Sequence, residues 1–112
     1  MAYDELLEDR IERSLKGRGV AFLKKKMMGG LTFMVDGKMC VGIVRNKLMA
    51  RVDPEVYQEV LQREGAGEMD FTGRPMKGFI FVEPDGFDMD EDLDFWINLA
   101  LEYNPRAKSS KK

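Results

Sequence analysis

The spacing of hydrophobic and polar positions changes several times along the chain. Leu7, Ile11 and Leu15 recur at helical spacing, which predicts a first helix over residues 4–16 that ends at nearby glycines. After this helix, short runs rich in Val, Ile, Phe and Met alternate with turn residues, as in a small antiparallel meander. The predicted strands cover residues 20–26, 31–35, 39–44 and 47–52.

Two local signals refine this meander. Asp36-Gly37 predicts a tight hairpin, because Asp and Gly tolerate the positive φ that such a turn requires. The lysine run over residues 24–26 favours an edge position for the first strand, since charged side chains discourage further strand pairing.

The second half predicts two more helices and one or two more strands. Asp53 is a candidate helix cap, and Pro54 suits the first turn of a helix. They predict a second helix that ends near Gly65. A strand over residues 76–82 follows. Asp88 and Glu91 then resemble a capping box at the start of a third helix, whose buried face carries Leu93, Trp96, Ile97, Ala100 and Leu101.

The element order is helix, four strands, helix, one or two strands, helix. Three short helices cannot cover both faces of a sheet of five to six strands, so we expect them all on one face. The predicted fold class is therefore α+β, a two-layer sandwich with an antiparallel sheet. We expect a single domain over residues 1–104 and a basic, disordered tail over residues 105–112.

Composition limits the cellular compartments in which we expect the protein. The longest apolar run is four residues, far short of the roughly 18 that a membrane helix needs, and the acidic N-terminus does not resemble a signal peptide. Cys40 is the only cysteine, which suits a reducing cytoplasm. Residues 1–52 carry 11 basic and 6 acidic side chains, whereas residues 53–112 carry 7 and 14. This opposition favours internal charge pairing or two differently charged surfaces.

Candidate chemistry is sparse. The chain has no histidine, the commonest general base and zinc ligand. Cys40 lies within an apolar strand and is expected to be buried and slow to react. The acidic run over residues 85–94 lacks the spacing of a calcium loop and is interpreted as a helix start. We therefore predict no catalytic residue, no metal and no cofactor.

The loop over residues 71–75 could carry function. Gly73 and Pro75 restrict its path, so the guanidinium of Arg74 is held in place. Arg74 could pair with a carboxylate of its own chain, such as Asp70 or Asp36, or recognise an anionic group of a partner. The residues leave both interpretations open.

Two separated blocks of sequence resemble the TfoX N-terminal domain family. The first contains Lys26-Met27-Met28-Gly29-Gly30-Leu31, Phe33, residues 37–40 and residues 48–52, and the second runs from Met69 to Met76. The terminal helix with Trp96 also fits the family. The resemblance implies a two-layer fold similar to secretion chaperones and a bacterial cytoplasmic setting. Named members regulate competence for DNA uptake and carry a further C-terminal domain. The present sequence stops after a short basic tail, so we expect a stand-alone domain here.

The resulting functional prediction is a non-enzymatic regulatory module that binds an unidentified protein partner. The candidate partner-binding residues are Met28, Gly29, Gly30, Arg51, Phe71, Thr72, Gly73, Arg74 and Pro75. One alternative is weak nucleic-acid binding through the basic N-terminal half, namely Arg10, Arg13, Lys16, Arg18 and Lys24 to Lys26. Another is a small-ligand protein or enzyme that uses Arg51 and Arg74.

Two further expectations follow from the predicted layers. Trp96 should be a core anchor, because it shares a helical stripe with Leu93 and Ile97. A sheet covered on one face leaves the other face available, and the strand over residues 39–44 is apolar on both sides. We therefore also predict a homodimer.

Overall fold

The computed structural model describes residues 4–27, 30–70 and 75–106. Its helices and strands follow in the order α1 (Glu5–Gly17), β1 (Leu23–Met27), β2 (Gly30–Val35), β3 (Lys38–Val44), β4 (Lys47–Arg51), α2 (Tyr57–Val60), β5 (Ala66–Asp70), β6 (Pro75–Val82) and α3 (Asp90–Tyr103). Short 3-10 turns cover Pro84–Gly86 and Asn104–Arg106.

Within the described residues, six strands form one antiparallel sheet in the order β1-β2-β3-β4-β6-β5. The predicted sheet of five to six antiparallel strands is confirmed, and β5 is the additional strand that the sequence left open. β1 lies at an edge, as its lysine run predicted.

The β2–β3 hairpin closes through residues with positive φ. Asp36 has φ 56° and Gly37 has φ 74°, the conformation in which a two-residue turn matches the twist of its strands. Arg45 has φ 59° in the β3–β4 turn, and its carbonyl accepts a hydrogen bond of 2.8 Å from the backbone of Asp4. This bond ties the start of α1 to the sheet.

All three helices pack against the same face of the sheet, as predicted. The main core combines Leu7, Ile11 and Leu15 of α1 with Leu93, Trp96, Ile97 and Ala100 of α3. Against them lie Leu31, Phe33, Val41, Ile43, Leu48, Ala50, Ile80 and Val82 of the strands. Trp96 is 1% exposed and its indole Nε1 donates to the carbonyl of Gly86 at 3.1 Å. Its predicted role as a core anchor is confirmed.

The second helix is shorter than the sequence pattern predicted. Asp53 does cap the chain, since its carboxylate accepts the Glu55 amide at 2.9 Å. However, α2 spans only four residues. It ends there because the amides of Gln62 and Arg63 donate to carbonyls three residues earlier in the chain, rather than four. Gly65 then takes φ 82° and leads into β5.

The third helix starts later than its capping pattern predicted. Met89 is the N-cap, and the amides of Asp92 and Leu93 donate to its carbonyl. Asp88 is still in the preceding turn, where its backbone carbonyl accepts from Arg10 at 3.1 Å. The predicted capping box of Asp88 and Glu91 is therefore wrong.

A bulge in β3 changes which residues face the helices. Phe33 pairs with Val41, whereas the next residue, Met34, pairs with Met39, so Cys40 is an extra residue on β3. Because of this insertion, Cys40 and Val41 both belong to the main core, and Met39 lies on the opposite face. Cys40 is buried as predicted, but simple alternation would have placed it on the other side.

The 3-10 turn over Asn104–Arg106 is bonded to the rest of the domain. The Asn104 side chain is buried and donates to the carbonyl of Val35 at 3.2 Å. Lys38 donates to the carbonyl of Asn104 at 3.1 Å, and Arg106 pairs with Asp53 at 2.6 Å. Residues 104–106 therefore fasten the end of α3 to the sheet.

Candidate functional site

The opposite face of the sheet carries none of the described helices, and we call it the helix-free face. Strand register puts Thr32, Gly42, Met49 and Phe81 side by side across four strands. The described positions that share this face include Leu23, Lys25, Gly30, Thr32, Met34, Met39, Gly42, Val44, Lys47, Met49, Arg51, Gly67, Phe79 and Phe81.

Methionine and phenylalanine form the centre of the helix-free face. Met39 and Met49 are buried there, and Met34, Phe79 and Phe81 are partly buried against them. This cluster is separate from the main core. Gly42 provides the floor beneath Met49, because a Cβ at position 42 would lie only 2.9 Å from the Met49 methyl group. The result is a shallow apolar surface with flexible side chains.

Two cations lie over the rings of this cluster. The Arg51 guanidinium carbon is 5.3 Å from the centre of the Phe79 ring, and the Lys47 ammonium is 5.5 Å from that of Phe81. Both distances fall within the range of a cation–π contact. Lys47 also pairs with Glu83 at 3.3 Å, at the margin of the face.

The charged strand positions described on this face are all basic, namely Lys25, Lys47 and Arg51. The neighbouring lysine Lys24 points to the helix side, where it bonds with Glu8 and Glu12 of α1. Alternation along β1 thus divides the lysine run between the two sides of the sheet.

The chain matches the family model of the TfoX N-terminal domain over residues 19–103. This match covers the sheet, α2 and α3, and therefore most of the chain. The chain belongs to the TfoX N-terminal domain family. No curated protein and no solved structure matches it. In the described part of this TfoX N-terminal domain, no helix is both long enough and apolar enough to cross a membrane.

Most of the predicted site residues fall outside what the structure describes. Met28, Gly29, Phe71, Thr72, Gly73 and Arg74 lie outside the described residues, so the roles predicted for them stay predictions. Pro75 is the first residue of β6. Of the predicted site residues that the structure describes, Arg51 and Gly30 lie at positions on the helix-free face.

Gly30 has a structural role that its position in β2 explains. It is buried, and a Cβ added there would collide with the backbone carbonyl of Ile43. Only glycine lets β2 approach β3 so closely at this point. This close approach accounts for Gly30 without any partner.

The basic residues of the N-terminal half do not form one continuous surface. Arg10 pairs with Asp90 at 3.2 Å, Arg18 pairs with Asp94 at 3.2 Å, and Arg13 pairs with Asp9 at 2.8 Å. Because two of these pairs join the basic half of the chain to the acidic half, the opposed charges are partly self-complementary. Phosphate binding by this set would have to displace those carboxylates.

The chemistry available to this TfoX N-terminal domain is limited in its described part. Burial raises the pKa of the Cys40 thiol to about 12, although the nearby charge of Arg51 opposes the shift. At neutral pH the thiol is therefore protonated and a poor nucleophile. Among the described residues, no group of three or more carboxylate or cysteine side chains could hold a metal ion.

The depressions of the described structure include the following three. Two of them are lined mainly by charged groups of the helix side, such as Arg10 with Asp94, and Arg63 with Asp92. The third lies at the β1–β2 edge and includes Leu23 and Met34. Arg51 lines none of the three, so these depressions do not support a small-ligand site built on it.

The sequence reasoning did not identify the aromatic part of the helix-free face. Phe79 and Phe81 alternate with the buried Ile80 and Val82, so their common orientation was visible as a period of two. Their pairing with Arg51 and Lys47 was not visible, because it depends on β4 lying beside β6 rather than β5.

Proposed function

We propose that this TfoX N-terminal domain is a non-enzymatic regulatory module that binds a protein partner through its helix-free face. The observation that supports this proposal is the second apolar cluster, made by Met34, Met39, Met49, Phe79 and Phe81 on the side of the sheet without described helices. Contiguous apolar surface bordered by charged groups is typical of protein-binding sites.

The types of side chain in the cluster support a binding role. Methionine side chains adapt to partners of different shape, and aromatic and arginine side chains contribute most to binding energy at protein interfaces. Arg51 and Phe79 already lie against each other, so a partner would meet a preorganised pair. The single thiol, Cys40, is consistent with the bacterial cytoplasm that we propose as the setting.

A second copy of the chain is one protein partner that we propose. Two helix-free faces could cover each other and remove the remaining exposed area of Met34, Phe79 and Phe81 from water. Symmetric homodimers commonly form in this way, with the same patch used by both subunits. The resemblance to regulators of competence supports a regulatory role for the complex.

The test compares Met34→Glu with Leu6→Glu. Met34 is at the partly exposed margin of the cluster, whereas Leu6 is 70% exposed on α1, away from the helix-free face. Sedimentation at micromolar concentration and cross-linked capture from bacterial extract would be measured for both variants. We expect Met34→Glu to lose self-association or captured protein, and Leu6→Glu to keep it.

Two results would count against this proposal. The first is a wild-type protein that is monomeric and captures no protein. The second is a Met34→Glu variant that remains folded, with an unchanged unfolding midpoint, and still binds the same proteins as the wild type.

A further inference from the structure

The two edges of the sheet carry opposite charge. Among the described strands, β1 pairs only with β2 and β5 pairs only with β6, so each has one side without a described strand. β1 reads Leu-Lys-Lys-Lys-Met, whereas β5 reads Ala-Gly-Glu-Met-Asp. One edge is therefore basic and the other acidic, and both strands are five residues long.

The directions of the strands allow one edge to pair with the other. All neighbouring strands of the sheet are antiparallel and the sheet has six strands, so β1 and β5 run in opposite directions. A second copy in the same orientation would place its β1 antiparallel beside β5 of the first copy. The antiparallel sheet would then continue from one copy into the next, with the helices of both on the same side.

Two exposed side chains of opposite charge would meet at such a junction. Lys26 pairs across the sheet with Leu31, a core residue, so Lys26 lies on the helix side. Glu68 lies on the same side, because its cross-strand partner Ile80 is also a core residue. Both Lys26 and Glu68 are exposed. Burial raises the pKa of the Tyr57 hydroxyl and the nearby charge of Glu68 adds to the shift, which agrees with this placement because α2 packs on the helix side.

The lysines of β1 favour an acidic strand over other partners. Lys24 is already bonded to Glu8 and Glu12 of α1, whereas no ion pair joins Lys26 to another described residue. Lysines on an edge strand repel a second copy of the same edge. Opposite charges that face each other across an antiparallel pair stabilise it instead. The charges thus disfavour pairing of β1 with β1 and favour pairing of β1 with β5.

We propose that copies of this TfoX N-terminal domain associate head to tail through their sheet edges, with β1 of one copy beside β5 of the next and Lys26 opposite Glu68. This register keeps both side chains on the helix side, as directly opposite residues of an antiparallel pair require. Two different surfaces meet at each junction, so the assembly can extend beyond two copies. The inference does not depend on the helix-free face, which the dimer suggested under the proposed function would use.

The decisive experiment reverses one charge on each edge. Lys26→Glu alone and Glu68→Lys alone each place like charges opposite one another at every junction. Self-association, measured by sedimentation at low salt, should weaken about tenfold or more in either variant. An equal mixture of the two variants again places opposite charges together wherever the variants alternate, so association should return to nearly the wild-type strength. Single variants that associate like the wild type, or a mixture as weak as its components, would overturn the pairing.

A matched pair of variants controls for net charge. Lys16→Glu and Glu102→Lys make the same changes of charge at exposed positions of α1 and α3, away from both edges. We expect them to associate like the wild type, alone and mixed. Losses equal to those of the edge variants would overturn the assignment to the edges. The unfolding midpoint of each variant, measured by urea denaturation, shows that it is folded.

Disulfide formation tests the register without relying on charge. Directly opposite residues have Cβ atoms as close as about 4.5 Å, which a disulfide can bridge. A mixture of Lys26→Cys and Glu68→Cys should therefore form a cross-linked dimer under mild oxidation, and the native thiol of Cys40 is buried. The matched control is Lys25→Cys, whose position is on the helix-free face, and it should cross-link to Glu68→Cys at least fivefold less. Equal yields would overturn the register.

The size of the assembly separates this proposal from the face-to-face dimer. Head-to-tail association should exceed two copies as concentration rises, disappear in the edge variants and persist in Met34→Glu. A wild type that remains monomeric up to millimolar concentration at low salt would overturn the edge proposal. A wild type that stops at a dimer, which Met34→Glu abolishes and the edge variants keep, would also overturn it and would leave the proposed role of the helix-free face standing.

Discussion

The two faces of the sheet use apolar residues of different kinds. The helix-covered face is built mainly from Leu, Ile, Val and Trp, whose side chains have few preferred rotamers, together with Phe33. The helix-free face uses Met34, Met39 and Met49 with two phenylalanines, and cations lie over both rings. The first set specifies one packed arrangement, whereas the second can adjust to a ligand.

Electrostatic contacts also differ between the two faces. On the helix side, Lys24 bonds with Glu8 and Glu12, and Arg10 donates to the carbonyl of Phe87 at 2.9 Å. These contacts join separate elements and satisfy groups at their ends. On the helix-free face, Arg51 and Lys47 lie over aromatic rings, and Lys47 also pairs with Glu83 at the margin. We therefore expect stability to depend mainly on the helix side and binding to depend on the other.

The largest effect should come from Trp96→Ala. Trp96 is 1% exposed and touches both layers, and its removal also leaves the carbonyl of Gly86 without its indole donor. We expect the free energy of unfolding to fall by about 3–5 kcal/mol, measured by urea denaturation. A variant with the wild-type midpoint would show that the two layers do not depend on this anchor.

The matching truncation on the helix-free face is Met49→Ala. Met49 is also 1% exposed, so burial alone would predict a comparable loss. We expect only about 2 kcal/mol, because Met34 and Phe81 border the gap and can move into it from the solvent side. A loss equal to that of Trp96→Ala would mean that both faces are equally rigid, which would weaken the distinction between them.

The pH dependence of the unfolding free energy tests the burial of Cys40 in the helix-covered face. Its thiol pKa is raised to about 12 because burial favours the neutral form. The contribution of Cys40 to stability should therefore be complete below about pH 8.5 and decline as pH rises toward 12. The unfolding free energy of the wild type, compared with Cys40→Ala across this range, isolates the contribution from other titrating groups.

Thiol labelling gives a second check on Cys40 at neutral pH. The native protein should react much more slowly than the denatured protein, since the thiol lies among core residues at the bulge, next to Val41. Equal rates would mean that the bulge places Cys40 within reach of solvent.

Sequence patterns predicted most of the fold because the spacing of apolar residues and the positions of turn residues are clear in most of the chain. The stripe of Leu7, Ile11 and Leu15 and the turn at Asp36-Gly37 appear in the structure as expected. The β3 bulge was not predictable, because Met39, Cys40 and Val41 are all apolar and either alternation fits them. The acidic residues before α3 also allowed several starting points, and in the structure α3 starts after Met89, while the carbonyl of Asp88 accepts from Arg10.

The candidate site was less predictable than the fold. Residues 28–30 and 71–75 were predicted as site residues because they contain a glycine pair and a proline, which are strong signals of turns and loops. Of these, Gly30 has a packing explanation in the close approach of β2 to β3. The pairing of Arg51 with Phe79 required knowledge of strand order, which local patterns do not contain.

The smallest effect on stability should come from a matched pair of exposed leucines, one on each side of the sheet. Leu23 is 75% exposed and shares the helix-free face with its cross-strand partner Met34, whereas Leu6 is 70% exposed on α1. Replacement of either by Ser should change the unfolding free energy by no more than about 0.5 kcal/mol, because neither side chain is buried. Ligand binding should separate them: Leu23→Ser should weaken binding of a protein partner to the helix-free face, and Leu6→Ser should not. Equal binding by the two variants would show that the binding surface does not extend to the β1 edge, and it would confine the surface to the strands that carry Met49, Phe79 and Phe81.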